Sequence, residues 1–328
     1  PTRWLPPSRP HGASGRAGLQ QVATHRVRLT VLARGRRGLH DLDPGPRDHL
    51  VTRALREALA RLEPGLVEES ALDPAEAPDR LARHVMGELR RALAASESTD
   101  LQAEQVNALL DRALPQDDAE QASVELPARI LQGVKGRSPL GDVMALPEPP
   151  ATPLAQSDLL VNAEGQPNIG SELRREIATA DGVDLVCAFV IWSGVRQLRD
   201  ALADLVARGG RVRVITTTYM GATEKRAVDE LVALGAEVRV ALDARTTKLH
   251  AKAWLLERRS GLTTAFVGSS NLSHTALFDG LEWNVRLSSV DAAHVIDRVR
   301  MTFESHWASE HFEPYHPGRN GEALSRAL

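Results

Sequence analysis

The sequence contains little cysteine, few aromatic residues and no long apolar run. Cys187 is its only cysteine, so the chain can form no internal disulfide, which is typical of a reducing cytoplasm. No apolar segment approaches the ~20 residues of a membrane-spanning helix, and the first residues lack the apolar core of a signal peptide. Aromatic residues make up 4% of the chain, so Leu, Ala and Val must build the core. We therefore expect a cytoplasmic protein with no membrane contact.

Charge of neither sign is in large excess. The chain has 40 Lys and Arg residues against 43 Asp and Glu, a formal net charge of −3. Contact with a polyanion must therefore come from a local basic patch. Residues 1–43 are rich in arginine and carry no acid before Asp41, which predicts a basic, flexible leader. The alternative is a basic arm that binds nucleic-acid phosphates.

Apolar periodicity divides the 328 residues into segments of different type. Residues 44–137 place apolar side chains at intervals of three and four, which predicts a helical subdomain whose last helix covers 124–134. Prolines gather in 138–157 and predict a linker. From 158 to 316 buried strands alternate with amphipathic helices, which predicts an α/β domain containing a parallel βαβαβ unit. Residues 317–328 are left as a tail.

Side chains capable of phosphoryl chemistry concentrate between residues 246 and 287. Two apolar runs joined by a polar turn predict a hairpin there. Because side chains alternate along a strand, His250 and Lys252 should share one face, near Asn271 at the end of the second arm. Glu282 lies in a further predicted strand, near the same face. The alternative is that the segment EWN merely ends a strand and has no catalytic role.

These four side chains suit attack on a phosphate ester. An imidazole can attack phosphorus or donate a proton, and an ammonium and a carboxamide can hold the non-bridging oxygens. A carboxylate can orient the imidazole and stabilise its cation. Since no cluster of metal-binding residues accompanies them in the sequence, we expect no metal ion and no cofactor.

The same stretch resembles the phospholipase D superfamily, whose signature is HxK followed by GSxN. The matching residues, in family order, are His250, Lys252, Glu257, Gly268, Ser269, Asn271 and Glu282. The resemblance implies a mixed sheet flanked by helices, here preceded by a mainly helical N-terminal subdomain. Glu257 replaces the family's Asp and lies an odd number of residues from His250. We therefore expect Glu257, like Gly268, to be structural.

The family mechanism implies catalytic roles for His250, Lys252, Asn271 and Glu282, with Ser269 supporting the phosphate. It also needs two histidines, one as nucleophile and one as acid, and this sequence has a single HxK. The resemblance therefore implies a homodimer with a composite active site and a phosphohistidine intermediate. The alternative is a degenerate module that keeps only the shape of the family.

Two further residues are candidate substrate contacts. Ser193 begins a predicted helix, where free backbone amides favour anions, or it is a plain N-cap. Tyr219 follows the second strand of the parallel unit, at the edge where open α/β sheets bind ligands. It could stack on a base or simply pack in a turn.

The surrounding segments resemble the phospholipase-D-like module near the N-terminus of certain bacterial DEAD/DEAH-type helicases. They are WSGVRQL, ITTTYMGAT, TKLHAKAW, GSSNLSHTAL and GLEWNV. The 328 residues contain no GxxxxGK[ST], the nucleotide-binding motif of a helicase core. We therefore expect any helicase core to lie outside these residues, in a longer form of the same chain or in a partner protein. We expect a nuclease that prefers DNA to RNA. The alternatives are a non-catalytic DNA-binding and dimerisation module, and a phospholipid head-group hydrolase or transferase.

Overall fold

The structure is a computed structural model that describes residues 45–63, 65–137, 140–163, 165–243 and 248–328. The predicted basic leader over 1–43 lies outside the described residues. The chain divides into two compact units, with the division after Leu131. The boundaries predicted from composition, at 137, 157 and 316, stay predictions.

The first unit is helical in its described part. Thr52 and Ser98 cap two of its helices by accepting hydrogen bonds from the backbone amides of Leu55 and Leu101. The helices are α1 (Arg53–Leu59), α2 (Ala77–Ala94), α3 (Thr99–Ala113) and α4 (Gln116–Ala122).

The helix predicted over 124–134 is wrong, because those residues form no helix. Pro127 lacks an amide hydrogen, and its ring disfavours the helical turn before it. The apolar periodicity predicted that Ile130 lies on the buried face of a helix, but its side chain is 87% exposed. The fourth helix is the more polar segment that ends at Ala122.

The second unit is built on one eight-stranded mixed sheet, which confirms the predicted fold class. Its strand order is β1-β7-β6-β5-β2-β3-β4-β8. The strands are β1 (Asp158–Val161), β2 (Gly182–Cys187), β3 (Arg211–Thr217), β4 (Glu237–Ala241), β5 (Lys252–Glu257), β6 (Thr264–Gly268), β7 (Trp283–Ser288) and β8 (Glu313–Pro314). The helices are α5 (Ile169–Thr179), α6 (Trp192–Ala207), α7 (Lys225–Ala233), α8 (Ser289–Ala308) and α9 (Pro317–Ala327).

Helices cover both faces of this sheet. Trp254 of β5 packs in the main core with residues of α5, α6 and α7, whereas the next residue, Leu255, packs with Ile296 of α8. Successive side chains of a strand point to opposite faces, so α8 lies on the face opposite α5. Helix α9 occupies residues predicted as a tail, and its Leu324 is fully buried in the main core.

Strand direction brings the candidate site residues to one edge of the sheet. β2, β3 and β4 are parallel, and β5 runs antiparallel to β2 with Lys252 opposite Cys187. β6 ends at Gly268, which lies opposite Asn284 near the start of β7. The carboxyl ends of the parallel strands, the start of β5 and the end of β6 therefore meet at the edge where open α/β sheets bind ligands.

A buried ionic cluster ties the proline-rich segment to this sheet. Arg286 of β7 is fully buried, pairs with Glu176 of α5 at 2.6 Å and donates hydrogen bonds to the carbonyl oxygens of Pro153 and Gln156. Arg258 also pairs with Glu176. The segment up to Gln156 is thus held by charge-assisted hydrogen bonds to elements of the second unit.

Candidate active site

His250 and Lys252 lie together at the carboxyl edge of the sheet. His250 is exposed just before β5, and Lys252 opens that strand with only 7% of its surface accessible. The Lys252 Nζ lies 3.1 Å from Nδ1 and 3.2 Å from Nε2 of the His250 ring, and it donates a hydrogen bond to the His250 carbonyl oxygen at 2.7 Å. The ammonium and the imidazole can therefore reach the same anion.

Burial shifts the pKa of Lys252. Removal of its ammonium from water lowers the pKa of Lys252 below the ordinary value of 10.5, and the negative charge of Glu282, together with that of Cys187 where the thiol ionises, acts in the opposite direction. The described part of the chain gives Lys252 no carboxylate ion pair. A phosphate oxygen placed beside Nζ would supply the negative charge that this buried cation lacks.

Phe189 supports both side chains and was missed by the sequence analysis. Its ring meets the His250 imidazole edge to face, with centroids 5.8 Å apart and an interplanar angle of 76°. The Lys252 Nζ lies 5.7 Å from the Phe189 centroid, within the range of a cation–π contact. No local pattern in the sequence marks Phe189, because its position depends on the pairing of β2 with β5, in which Cys187 lies opposite Lys252.

The loop after β6 is anchored beside Phe189. The Leu272 amide donates to the Phe189 carbonyl oxygen at 3.1 Å, and the Ile191 amide donates to the Leu272 carbonyl oxygen at 2.9 Å. Gly194 permits this approach, since a Cβ there would lie 2.4 Å from the Leu272 backbone. Asn271, the residue before Leu272, is thereby fixed near Phe189 and the residues that Phe189 contacts.

Asn271 carries an unsatisfied polar atom. Its Oδ1 is buried and has no hydrogen-bond partner among the described residues. Most buried polar atoms in folded proteins are paired, so an exception is a candidate functional group. The Oδ1 atom of Asn271 is thus not used to hold the described part of the chain together by a hydrogen bond.

Glu282 is held by Ser269. The Ser269 hydroxyl donates to the Glu282 carboxylate and accepts a hydrogen bond from the Trp283 amide at 3.2 Å. The expected hydrogen bond, in which the His250 ring would donate to the Glu282 carboxylate, is not formed in the described chain. Since β6 separates β7 from β5, two strand spacings of ~4.8 Å lie between them.

Gly268 allows the close pairing that positions Ser269. A Cβ at Gly268 would lie 2.2 Å from the Trp283 carbonyl oxygen and 2.5 Å from Oδ1 of Asn284. Asn284 is buried and donates to the Ser270 hydroxyl at 2.7 Å. Only a residue without a side chain fits here at the observed strand distance.

Glu257 lies at the far end of β5 from Lys252. Its carboxylate pairs with Arg211 at 3.2 Å and with Arg300 at 2.9 Å. These contacts join β5 to β3 and α8. Glu257 therefore lies away from His250, and its structural role stays a prediction from the odd spacing.

Ser193 and Tyr219 lie at the same edge but show no contact with His250. The Ser193 hydroxyl accepts a hydrogen bond from the His274 amide at 3.2 Å, and the Trp192 amide at the start of α6 is taken by Glu224 at 2.8 Å. Ser193 therefore ties a loop in place. Tyr219 is half-buried in a turn, with its amide bonded to Oγ1 of Thr217 at 3.1 Å.

Two further properties of the described chain bear on its chemistry. Burial raises the pKa of the Cys187 thiol to about 11, so the thiol is protonated near neutrality. Among the described residues, no group of three or more His, Cys, Asp or Glu side chains is arranged to hold a metal ion.

Comparison with known proteins identifies the segment that contains this site. Residues 173–307 match the family model described as "Cardiolipin synthase, PLD-like domain". No curated protein matches the chain. Among solved structures, Nuc from Salmonella typhimurium, a phospholipase D family member, is 15% identical with a TM-score of 0.36, and the match covers 49% of this chain and 99% of that one.

Two other solved structures match a similar share of this chain. NucT from Helicobacter pylori is 17% identical with a TM-score of 0.37, over 49% of this chain and 99% of NucT. Phosphatidylserine synthase from Haemophilus influenzae is 13% identical with a TM-score of 0.37, over 49% of this chain and 39% of that chain.

Proposed function

Because the chain carries a domain of the phospholipase D superfamily at residues 173–307, we propose that it is a metal-independent phosphodiesterase that cleaves nucleic acid through a phosphohistidine. One observation carries the proposal. The buried ammonium of Lys252 lies 3.1 Å from Nδ1 of His250, and Asn271, which the Leu272–Phe189 backbone contact places nearby, adds an Nδ2 amide that can donate to phosphate oxygens. Together they offer a nucleophile and two groups that can contact phosphate oxygens.

The reaction proceeds in two displacements. A His250 ring nitrogen attacks phosphorus and the bond to the leaving oxygen breaks, which gives a phosphohistidine. A second imidazole donates its proton to the leaving oxygen, then removes a proton from the water that attacks phosphorus and releases His250. Lys252 and Asn271 hold the non-bridging oxygens as negative charge develops on them. Glu282 and Ser269 act at the rim of the same site.

The second imidazole comes from a second copy of the chain. The sequence contains one HxK, so a two-fold axis would have to bring both His250 side chains to one phosphate. A composite site of this kind predicts a homodimer at working concentration. A chain that sediments as a monomer with full activity would contradict it.

Nucleic acid is the proposed substrate, with DNA preferred to RNA. Trp283, beside Glu282, exposes 67% of its surface, and an exposed aromatic ring at the site edge can stack on a base. Tyr219 could do the same. The resemblance of the flanking segments to a helicase-linked module supports a helicase core, in the same or a partner chain, as the source of unwound strands.

The test is cleavage of labelled DNA and RNA in excess EDTA. Wild type is expected to cut, and His250→Ala to lose all activity while keeping its thermal unfolding temperature. His294→Ala removes an exposed histidine on α8, which packs on the opposite sheet face from α5, and should cut normally. Binding without cleavage by every variant would indicate a non-catalytic DNA-binding module instead.

A second candidate substrate is a glycerophospholipid. Leu281 and Trp283 are 92% and 67% exposed on either side of Glu282, and such apolar side chains could enter a lipid surface. In the described residues no helix is long and apolar enough to cross a membrane. Release of head group from phosphatidyl vesicles, without cleavage of DNA in the same assay, would select this candidate.

A further inference from the structure

A cluster of two basic side chains and one aromatic ring lies next to the candidate active site. It contains none of the predicted site residues. We call Arg174, Phe278 and His274 the flanking cluster. The Arg174 guanidinium lies 5.0 Å from the centroid of the Phe278 ring. The His274 ring lies 5.2 Å from the same centroid, tilted by 34°. One phenyl ring therefore supports two basic side chains.

Arg174 is ordered by neutral groups only. Its Nε donates to the Gln197 carbonyl oxygen at 2.8 Å and its Nη2 donates to the Gln197 Oε1 at 2.7 Å. Among the described residues no carboxylate pairs with it, whereas Arg199 pairs with Glu230 at 2.7 Å. An exposed guanidinium that is already ordered and keeps unused donors can bind an anion with little further loss of entropy.

The aromatic ring is itself fixed. A Cβ at Gly170 would lie 2.3 Å from Cζ of Phe278, so the ring packs directly on the backbone of α5. Phe278 lies in the short π-helical turn Thr275–Asp279 that follows the GSSN segment. The turn thus brings the phenyl ring to the helix that carries Arg174.

His274 is held from two sides. Its amide donates to the Ser193 hydroxyl at 3.2 Å, and its Nδ1 lies 3.0 Å from the Asp279 carboxylate. None of the described residues bonds to the His274 Nε2, which can take another partner. Asp279 offsets the charge of a protonated His274, so Arg174 supplies the net positive charge of the cluster.

The flanking cluster lies a short distance from Asn271. His274 follows Asn271 by three positions in the sequence, so their Cα atoms are at most about 11 Å apart. A nucleic-acid strand carries one phosphate per ~3.4 Å of helix axis. A strand with its scissile phosphate beside Asn271 could therefore place a phosphate a few nucleotides away near His274, which shares the Phe278 ring with the Arg174 guanidinium.

We propose that the flanking cluster is a second phosphate subsite, in which Arg174 and His274 hold a backbone phosphate of a polynucleotide beside the scissile one. This inference rests on the proposed function for its substrate class. A diester with a single phosphate would leave the subsite empty, whereas an oligonucleotide would fill it. The subsite would then contribute to binding of long substrates and not to the chemical step.

Binding is measured first, because it does not depend on cleavage. The probe is a fluorescent single-stranded oligonucleotide, titrated against full-length His250→Ala protein with and without Arg174→Gln. Loss of one charged hydrogen bond predicts roughly tenfold weaker binding, and the slope of log affinity against log salt should fall by about 0.7 for a single strand. Arg298→Gln, which removes an exposed arginine from α8, is the matched control and should change neither quantity.

Kinetics separate the subsite from a structural role. In the active background, Arg174→Gln is expected to raise KM for the oligonucleotide roughly tenfold and to leave hydrolysis of bis(p-nitrophenyl) phosphate unchanged. Arg174→Lys, which keeps the charge, should restore part of the loss. If wild type hydrolyses neither substrate, the proposed function fails, while the binding titration still tests the subsite.

Two results would overturn the inference. One is an Arg174→Gln protein whose oligonucleotide affinity and salt slope equal those of Arg298→Gln. The other is an equal loss on both substrates that Arg174→Lys does not restore, since this would mark Arg174 as a structural support for the loop.

Discussion

Replacing Asn271 with alanine is expected to make the protein more stable and nearly inactive. The Oδ1 of Asn271 is buried without a partner in the described chain, and such an atom costs about 1–3 kcal/mol of desolvation. Alanine removes that atom along with the rest of a half-buried amide. We expect a net gain of about 1 kcal/mol in the free energy of unfolding, or a rise in Tm of roughly 2–4 °C for a unit of this size.

The loss of activity follows from the same amide. If Asn271 holds a phosphate oxygen in the transition state, its removal should lower kcat about 10²–10³-fold, as removal of one oxyanion-hole donor does. Thermal and urea unfolding give the stability change, and cleavage of a labelled oligonucleotide in EDTA gives the rate.

Asn284 is the matched control for stability. It is 4% exposed, and its amide donates to the Ser270 hydroxyl at 2.7 Å. Asn284→Ala removes the hydrogen bond that the Ser270 hydroxyl accepts, leaves only its contact with the Ala276 carbonyl oxygen at 3.4 Å, and should lower the free energy of unfolding by about 1–3 kcal/mol. Equal destabilisation by the two substitutions would refute the reasoning, because it would mean that Asn271 has structural partners like those of Asn284.

Three further predictions concern the buried charges and the close strand contact. Burial lowers the pKa of Lys252 below 10.5, so between the lowered value and 10.5 the unfolded chain binds more protons and the free energy of unfolding should rise with pH. Lys252→Met should flatten that rise, and a flat wild-type profile would contradict the shift. Glu176→Gln leaves two buried arginines without their shared carboxylate and should cost about 3–5 kcal/mol in urea unfolding; a loss well under 1 kcal/mol would show that water or other groups compensate them. Gly268→Ala places a Cβ 2.2 Å from the Trp283 carbonyl oxygen and should cost about 1–3 kcal/mol, whereas Gly318→Ala meets no atom within 4 Å and is expected to be tolerated.

Local periodicity was enough to predict the elements that carry the site. The two-residue spacing of His250 and Lys252 placed both side chains on one face, because strand alternation holds wherever the chain is extended. The alternation of strands and helices predicted the parallel unit, since βαβ crossovers follow from chirality. The odd spacing of Glu257 likewise predicted a position away from His250.

Contacts between distant segments could not be predicted in this way. Phe189 reaches His250 only because β2 and β5 are neighbours in the sheet. Glu282 bonds to Ser269 because β7 pairs with β6 and not with β5. The packing of the whole unit determines the order of the strands. The local sequence pattern of a single strand therefore does not predict which strands are its neighbours.

The helical errors have a different cause. The segment around Ile130 has helical periodicity, but Pro127 interrupts it and no partner surface buries it among the described residues. Helix α9 has few apolar residues and was left as a tail, yet Leu324 alone inserts fully into the core. Periodicity reports which face could be buried, whereas tertiary packing decides whether it is.

Covalent capture of the reaction intermediate tests the central claim most directly. Protein quenched in alkali during turnover of an oligonucleotide in EDTA, then digested and analysed by mass spectrometry, should carry an acid-labile nucleotidyl or phosphoryl adduct on the peptide containing His250. His250→Ala should carry none. Rapid cleavage in EDTA with no adduct on His250, or with the adduct on another residue, would contradict a phosphohistidine mechanism at this site.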